Sequence, residues 1–188
     1  MRSVHKRIDG VLDTVFFRKR HEDETAIRAF GHEAAYITDA GLLIARAKAV
    51  LEKHADATGV AVLLDDGHGH YDGANENDPA IVSLKTWRKS VDLHTLDTML
   101  QGEFAYPMVA RGHLVGAIVL GPKGSGDPYA PDESDAILHL AHGVGTALDV
   151  LSANVRASRD GLLEALQTMS GDLKALAYEV QALRQRSN

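Results

Sequence analysis

The strongest constraint on this chain is a stripe of apolar residues, spaced three and four apart, near its C-terminal end. The spacing predicts one long helix from Pro131 to about Arg186, with a stutter between Leu162 and Leu166 that locally unwinds a supercoil. A stripe this long needs a covering surface, because water would otherwise surround its leucines. We predict a parallel homodimer through Leu148, Leu151, Val155, Leu162, Leu166, Met169, Leu173, Leu176, Val180 and Leu183.

The N-terminal segment offers an alternative partner for this stripe. Its apolar residues also recur at helical spacing, so the two helices could pack as a bundle within one chain, and both arrangements could hold together. These residues are Val4, Ile8, Val11 and Val15. We therefore divide the chain into an N-terminal helical segment (1–40), a globular domain (41–151) and a C-terminal coiled-coil helix (152–188).

Composition and charge exclude several classes of protein. The chain has no cysteine, which excludes disulfides, thiolate metal sites and thiol nucleophiles. Its net charge of −6 argues against general nucleic-acid binding. We find no signal peptide and no membrane span, which predicts a cytoplasmic protein. The basic run Arg18, Lys19 and Arg20 fits a solvated helix face, or a segment beside a membrane if the natural protein extends upstream of Met1.

The middle of the chain predicts a mixture of strands and helices. Residues 60–64 are aliphatic and β-branched, and they end at two aspartates and a glycine, as a buried strand does. Asp78 followed by Pro79 has the form of a helix N-cap with proline in the first turn. We expect Ile81, Leu84 and Trp87 to share one face of the helix that follows.

The clearest local signal is a β-hairpin. Residues 104–110 and 113–120 are two apolar strands around a tight turn at Arg111 and Gly112. Pro107 cannot donate a ladder hydrogen bond, so it should lie on an unpaired strand edge or beside a bulge. Both faces of the second strand are apolar and must be covered. Strict alternation places Leu114, Ile118 and Leu120 on one face and Val115, Ala117 and Val119 on the other.

Three segments between residues 40 and 151 together carry a resemblance to a known family. They are LLIARAKAVLEKHADATGVAVLLDD, FAYPMVARGHLVGAIVLGPK and YAPDESDAILHLAHGVGTALDVL. Together they resemble the GAF domain family of small-molecule sensory modules, and FFRKRH (16–21) looks like the flank of bacterial sensor proteins. The resemblance implies an α+β fold: a GAF-like central antiparallel sheet flanked by helices, with a cavity on one face and long terminal helices in a bundle or coiled coil.

The same resemblance bears on ligands and chemistry. The Asn-Lys-Phe-Asp-Glu pattern of the cyclic-nucleotide-binding members is absent, and the cysteines used by bilin-binding members and by methionine sulfoxide reductases are missing. The cofactor is therefore unknown. A pocket enclosed by the sheet and the helix after Asp78 would be lined by Tyr71, Leu84, Trp87, His94, Tyr106 and Met108, although these residues could equally be ordinary core.

Two histidine pairs raise the question of a metal. His68 and His70 lie in a loop, and His139 and His142 lie three apart on a helix, but neither pair has a third ligand at a familiar interval. We predict no metal site, while a haem with one histidine ligand stays open. The loop GPKGSG (121–126) lacks the second Gly-Lys-Ser/Thr of a phosphate cradle and is interpreted as a connection.

The sequence as a whole predicts a non-enzymatic regulatory or sensory module of a bacterial signalling protein. It would be a homodimer that binds an unknown small molecule and relays a signal to a downstream domain or protein. The alternative is a ligand-free dimerisation and docking scaffold, which would have a filled core. An enzyme is the third hypothesis, but Asp65, Asp66 and His70 come without a nucleophile, a base and an orienting group.

Overall fold

The structure is a computed structural model that describes the backbone of residues 2–71 and 73–186 and the side chains of residues 18–71 and 73–174. It divides into two units, residues 1–149 and residues 150–188, called here the core unit and the helical unit. The elements in chain order are α1 (Arg2–Glu33), a 3₁₀ turn (Ala34–Tyr36), α2 (Ala40–His54), β1 (Val60–Leu64), α3 (Pro79–Trp87), β2 (Val91–Asp92), a second 3₁₀ turn (Leu93–Thr95), β3 (Phe104–Ala110), β4 (His113–Leu120) and α4 (Pro131–Arg186).

The four strands form one antiparallel sheet in the order β1-β4-β3-β2. The expected β3–β4 hairpin is confirmed. Its turn has left-handed φ angles of 48° at Arg111 and 83° at Gly112, the pattern of a two-residue turn that matches strand twist. Pro107 also lies as expected, because β2 pairs with β3 at Phe104 and Ala105 and so leaves the proline on an unpaired edge.

A β-bulge interrupts this hairpin. Met108 pairs with Gly116, but the next residue, Val109, pairs with Leu114, so Val115 is the extra residue on β4. Because of this extra residue, the side chains of β4 that precede Val115 point to the opposite face of the sheet from the one that strict alternation predicts. Leu114 therefore packs in the same buried cluster as Ala117, and the expectation that it shares a face with Ile118 is wrong.

The sheet has a buried core on each face. The face beneath α3, called here the α3 face, is filled by apolar side chains, among them Leu63, Tyr71, Ile81, Leu84, Leu93, Leu100, Ala105, Leu114, Ala117 and Val119. The other face carries Tyr106 and Met108, both 0% exposed. The Tyr106 hydroxyl lies 3.1 Å from Ser134 Oγ on α4. A Cβ at Gly145 of α4 would lie 2.9 Å from Met108 Cβ, so the helix backbone packs directly on the strand.

Asp78 confirms the predicted start of α3 and does more than cap it. Its carboxylate accepts hydrogen bonds from Ala80 N at 2.9 Å, Thr98 Oγ1 at 2.6 Å and Met99 N at 2.9 Å. Asp78 is buried, so these bonds form away from bulk water. The residue therefore fixes both the first turn of α3 and the loop that leads to β3.

The end of α3 differs from the prediction. Ile81 and Leu84 are buried as expected, but Trp87 is 70% exposed. The helix ends at Trp87, and Arg88 adopts a left-handed conformation with φ 52°. The single-face prediction was wrong for Trp87, because the chain turns away before the third residue of the stripe reaches the sheet.

Helices α1 and α4 cross at very close range within the core unit. A Cβ at Gly143 would overlap the carbonyl oxygen of Gly31, and a Cβ at Gly31 would lie 3.1 Å from the ring of His139. The two backbones are therefore in contact at this point. Any side chain at Gly143 would push the helices apart.

The helical unit consists of the later part of α4. The stripe residues described here are 53% to 68% exposed: Val155, Leu162, Leu166, Met169 and Leu173. Leu148 differs, because it is 5% exposed and belongs to the core unit, so the prediction that it joins a dimer interface was wrong. Leu151 is half-buried. The remaining predicted stripe residues have side chains outside the described part of the chain. They are Leu176, Val180 and Leu183 of the C-terminal stripe and Val4, Ile8, Val11 and Val15 of the N-terminal stripe.

Among the described residues, one helix is long and apolar enough to cross a membrane by length and composition alone. This helix is Pro131–Lys174, whose most apolar window has a mean hydropathy of 1.3 and is 44% buried in the fold. A core helix of a soluble protein passes the same test. The basic run of α1 is also compatible with solvent, because Arg18 forms an exposed ion pair with Glu22 and Arg20 forms a partly exposed one with Glu24.

Candidate functional site

A cleft of about 270 Å³ opens at the edge of the α3 face. We call it the α3 cleft. Asp65, the residue after β1, lies beside it, α3 contributes its C-terminal half, and the β3–β4 hairpin contributes its turn. The side chains that define its chemistry are Asp65, Tyr71, Leu84, Lys85, Arg88 and Leu114.

Tyr71 forms the floor of the α3 cleft. It is buried, and its hydroxyl donates a hydrogen bond to the Leu114 carbonyl at 3.3 Å. Burial raises the pKa of Tyr71 to about 12, and the negative charges of Asp65, Asp66 and Glu76 act in the same direction. The phenol is therefore protonated at neutral pH, and it acts as a hydrogen-bond donor rather than as a base.

Two cations lie at the mouth of the cleft. Lys85 Nζ lies 5.7 Å from the centroid of the Tyr71 ring, a cation–π distance. Arg88 Nη2 donates to the Gly112 carbonyl at 2.9 Å and so ties the end of α3 to the hairpin turn. Both side chains are exposed and keep further donors for a ligand. The mouth is suited to a carboxylate or another small anionic group.

The carboxylate of Asp65 binds the backbone of the loop that follows β1. Asp65 Oδ1 accepts hydrogen bonds from the backbone N–H groups of Gly67 and Gly69, both at 2.9 Å. These bonds hold the loop in a tight turn in which both glycines have positive φ. Asp65 therefore shapes the cleft wall, while Lys85 and Arg88 supply its free charge.

The six residues predicted to line one pocket do not lie together. Tyr71 and Leu84 line the α3 cleft. Tyr106 and Met108 are buried on the opposite face of the sheet, under α4, because successive even positions of β3 point to that face. Trp87 and His94 are exposed. The expectation of a single pocket was wrong for these last four residues.

Sequence reasoning missed the residues that give the cleft its charge. Lys85 and Arg88 lie on the solvent side of α3 and read as an ordinary polar face. No local pattern predicts this contact, because the Gly112 carbonyl lies in an exposed turn where water can also donate to it, and Arg88 lies 24 positions earlier in the sequence.

A larger groove of about 790 Å³ lies between α1, the end of α2 and the loop before α4. Several of its charged side chains pair with one another. His54 Nδ1 lies 2.7 Å from Asp23 Oδ1, and Lys123 Nζ lies 2.8 Å from both carboxylate oxygens of Glu133. These pairs leave the groove without one dominant sign of charge, so it favours no ligand class by charge.

The GPKGSG loop lies along this groove, and its polar groups are used within the protein. Asp56 accepts a hydrogen bond from Ser125 N at 2.9 Å, and its carbonyl accepts one from Gly124 N at 2.8 Å. Lys123 is engaged by Glu133. The carboxylates stand where a phosphate would have to bind, which favours the interpretation of this segment as a connecting loop.

The histidines are arranged differently from the sequence pairs. His68 and His70 are exposed, and Asp66 accepts hydrogen bonds from their backbone N–H groups. His139 contacts a histidine of another helix. Its Nε2 lies 3.3 Å from Nε2 of His32 on α1. Within residues 18–71 and 73–174, no group of three or more histidine and carboxylate side chains is placed to hold a metal ion.

Comparison with known proteins identifies the fold. No family model and no curated protein matches this sequence. The structure is similar to the GAF domain of a phosphoenolpyruvate-protein phosphotransferase from Coxiella burnetii, with a TM-score of 0.56 and 14% identity over 74% of this chain and 98% of that chain. It is also similar to the free methionine-R-sulfoxide reductase from Neisseria meningitidis, solved with its substrate, with a TM-score of 0.56 and 11% identity over 72% of this chain and 93% of that chain.

These likenesses show the fold. The chain has a GAF-like fold, and the α+β architecture with a central antiparallel sheet and a long C-terminal helix is confirmed. The two similar proteins differ from each other in role, since one is a domain of a phosphotransferase and the other is a reductase. Fold alone therefore does not assign a role to this chain.

Proposed function

We propose that this chain is a non-enzymatic, homodimeric regulatory module of a bacterial signalling protein, which senses a small molecule and relays the change through α4 to a downstream domain or protein. The single observation that carries the proposal is the dual environment of α4. Within the core unit this helix is buried against the sheet at Ala136, Ile137, Leu140, Ala141 and Val144. Within the helical unit the same helix presents an exposed apolar stripe.

The partner for that stripe is a second copy of the chain. A heptad-spaced apolar row is complementary to itself, so two identical helices can interdigitate their side chains along it. The exposure of Val155, Leu162 and Leu173 in the single chain gives the association its driving force. A small shift of α4 against the sheet would then change the register or twist of the paired helices.

The proposed input site is the α3 cleft. Its volume of about 270 Å³ is slightly below the range of about 300–1,000 Å³ typical of drug-sized ligands, which suits a small molecule. Lys85 and Arg88 at the mouth favour an anionic or strongly polar one. Binding there would engage α3 and the β3–β4 hairpin together, and the reverse side of β3 contacts α4 through Tyr106 and Met108.

No reaction is assigned to this site. Its phenol donates to a backbone carbonyl, and the pKa of Tyr71 is raised by burial, so it supports neither nucleophilic nor base catalysis. The chain has no cysteine, so thiol-based reduction is not proposed either. The chemistry of the cleft fits binding.

One observation favours the alternative of a ligand-free scaffold. The α3 face is filled by packed apolar side chains from β1, α3, β3 and β4, so a central cavity of the kind expected from the sequence is replaced by core. In that case the helical unit would still pair, but the α3 cleft would be a surface feature without an occupant.

Native mass spectrometry of freshly purified protein distinguishes the sensory proposal from the scaffold alternative, when the native mass is compared with the denatured mass. A dimer that carries additional mass supports the sensory proposal, and that mass should be lost in Lys85→Ala and Arg88→Ala but retained in Lys89→Ala. Lys89 is the matched control because it is exposed and adjacent but does not line the cleft. A bare dimer supports the scaffold, and a bare monomer contradicts both.

A further inference from the structure

Two histidines meet across the α1–α4 crossing, outside both clefts described above. His32 lies in the last turn of α1, and His139 lies on α4 beside the close approach of Gly31 and Gly143. Their Nε2 atoms are 3.3 Å apart, and their ring centroids are 4.8 Å apart with an interplanar angle of 59°. We propose that His32 and His139 form a two-histidine site for a divalent transition-metal ion, with zinc as the best fit.

The distance between the nitrogens selects the geometry. With Zn–N bonds of about 2.05 Å, a separation of 3.3 Å corresponds to an N–Zn–N angle of about 107°, close to tetrahedral. A square-planar or octahedral ion would bring two neighbouring nitrogens to about 2.9 Å. The His32–His139 spacing therefore favours a tetrahedral ion.

The two rings do not have the arrangement of a head-on hydrogen bond. Two imidazoles aimed at one zinc ion would have centroids about 5.2 Å apart, whereas a head-on N–H···N bond would place them about 5.6 Å apart. The observed 4.8 Å is shorter than both values and is closer to that of a shared ion. Both rings are therefore inclined to the line that joins their Nε2 atoms, and each side chain would rotate slightly to place its Nε2 lone pair on a shared ion.

The surroundings leave room for the ion and its water ligands. His32 is exposed and His139 is partly buried, so solvent reaches the pair. Arg28 is close enough for its positive charge to act on His139. The same Arg28 charge opposes a cation, so we expect weaker binding than at a three-ligand zinc site.

An ion at this position would tie the end of α1 to α4 through side chains. Because α1 and α4 touch at Gly31 and Gly143, a small change in their crossing angle moves His32 and His139 apart or together. Zinc would hold one of these arrangements. The site requires neither the α3 cleft nor a dimer, so it stands or fails independently of the proposed function.

The test is zinc titration of tag-free, chelator-treated full chain by isothermal calorimetry. We expect one zinc ion per chain, and affinity at least about tenfold weaker in His32→Ala and in His139→Ala, since losing even an outer-shell partner costs about 10–100-fold. His21→Ala is the matched control, because His21 is also an exposed histidine of α1, and it should bind zinc as the unmodified protein does.

Cobalt provides a second readout that a structural role would not change. Tetrahedral Co²⁺ bound by two imidazoles gives an intense visible d–d absorption, which His32→Ala should abolish and His21→Ala should keep. His32 is exposed, so its replacement is expected to leave the fold intact by circular dichroism. Absence of zinc binding, or unchanged binding in His32→Ala, would overturn the proposal, as would equal loss in His21→Ala.

Discussion

Replacing Leu166 and Leu173 by aspartate should separate the proposed dimer into monomers. Both leucines lie on the exposed stripe of the helical unit, at 53% and 65% exposure in the single chain. In a paired helix each would insert among side chains of the partner, and a carboxylate there would be buried without a counter-ion. The substitution therefore removes attraction and adds a desolvation cost.

The size of the effect follows from these exposures. Fully burying a leucine contributes about 1.5–3 kcal/mol, so the exposed fractions of the two side chains represent about 1.8–3.5 kcal/mol per chain and about 3.5–7 kcal/mol per dimer. At about 1.4 kcal/mol per tenfold, the dimer dissociation constant should rise by roughly 10²- to 10⁵-fold before any cost of burying carboxylates.

Sedimentation velocity across a range of micromolar concentrations measures this shift. The matched control is the pair Ala157→Asp and Thr168→Asp, which adds the same charge at exposed positions on the opposite side of the helix. The control should remain dimeric, and circular dichroism should show equal helix content in both variants. A dimer that survives the Leu166 and Leu173 substitutions, or that dissociates equally in the control, would refute the reasoning.

Further expectations concern the core unit. Asp78→Ala should destabilise the protein by about 2–4 kcal/mol in urea denaturation, because a helix cap and charged hydrogen bonds are lost, and a cost below about 1 kcal/mol would contradict this. Burial alone would raise the pKa of Asp78, but its hydrogen bonds outweigh burial and lower it, so its contribution is complete above the unfolded value of 3.8 and is lost as pH falls through the lower folded value. Asp78→Asn should remove that part of the acid sensitivity. Gly143→Ala should lower the free energy of unfolding by about 1–3 kcal/mol, because the new methyl group would force α1 away from α4. Gly161→Ala on the same helix is the control: a Cβ there would have no neighbour within 4 Å, so this change should stabilise the protein slightly. Tyr106→Phe should cost about 0.5–1.5 kcal/mol through the lost contact with Ser134, with no change in unfolding cooperativity.

The features that local chemistry determines were predictable. The turn at Arg111 and Gly112 and the cap at Asp78 depend on neighbouring residues in the chain, and both occur where the sequence placed them. The four-strand order and the filling of the α3 face depend on contacts between distant segments, which periodicity does not specify. The resemblance to GAF domains predicted the antiparallel sheet with flanking helices, but it predicted neither the strand order nor the filled α3 face.

The candidate sites were less predictable for the same reason. A one-residue bulge at Val115 reversed the facing of Leu114, and strand alternation carried Tyr106 to the far side of the sheet from Tyr71. Neither effect can be predicted from the hydropathy of β3 and β4, because both faces of these strands are apolar. The meeting of His32 with His139 joins residues 107 positions apart and could not be read from either helix alone.

The exposure of Trp87 decides how this protein can be observed by fluorescence. It is the single tryptophan of the chain and is 70% exposed, so its indole already has a largely aqueous environment in the folded state. Unfolding should change its emission wavelength little, and a flat emission trace would not mean that the fold persists. A blue shift on adding a candidate ligand or partner would instead report that something has covered the end of α3, one residue from Arg88.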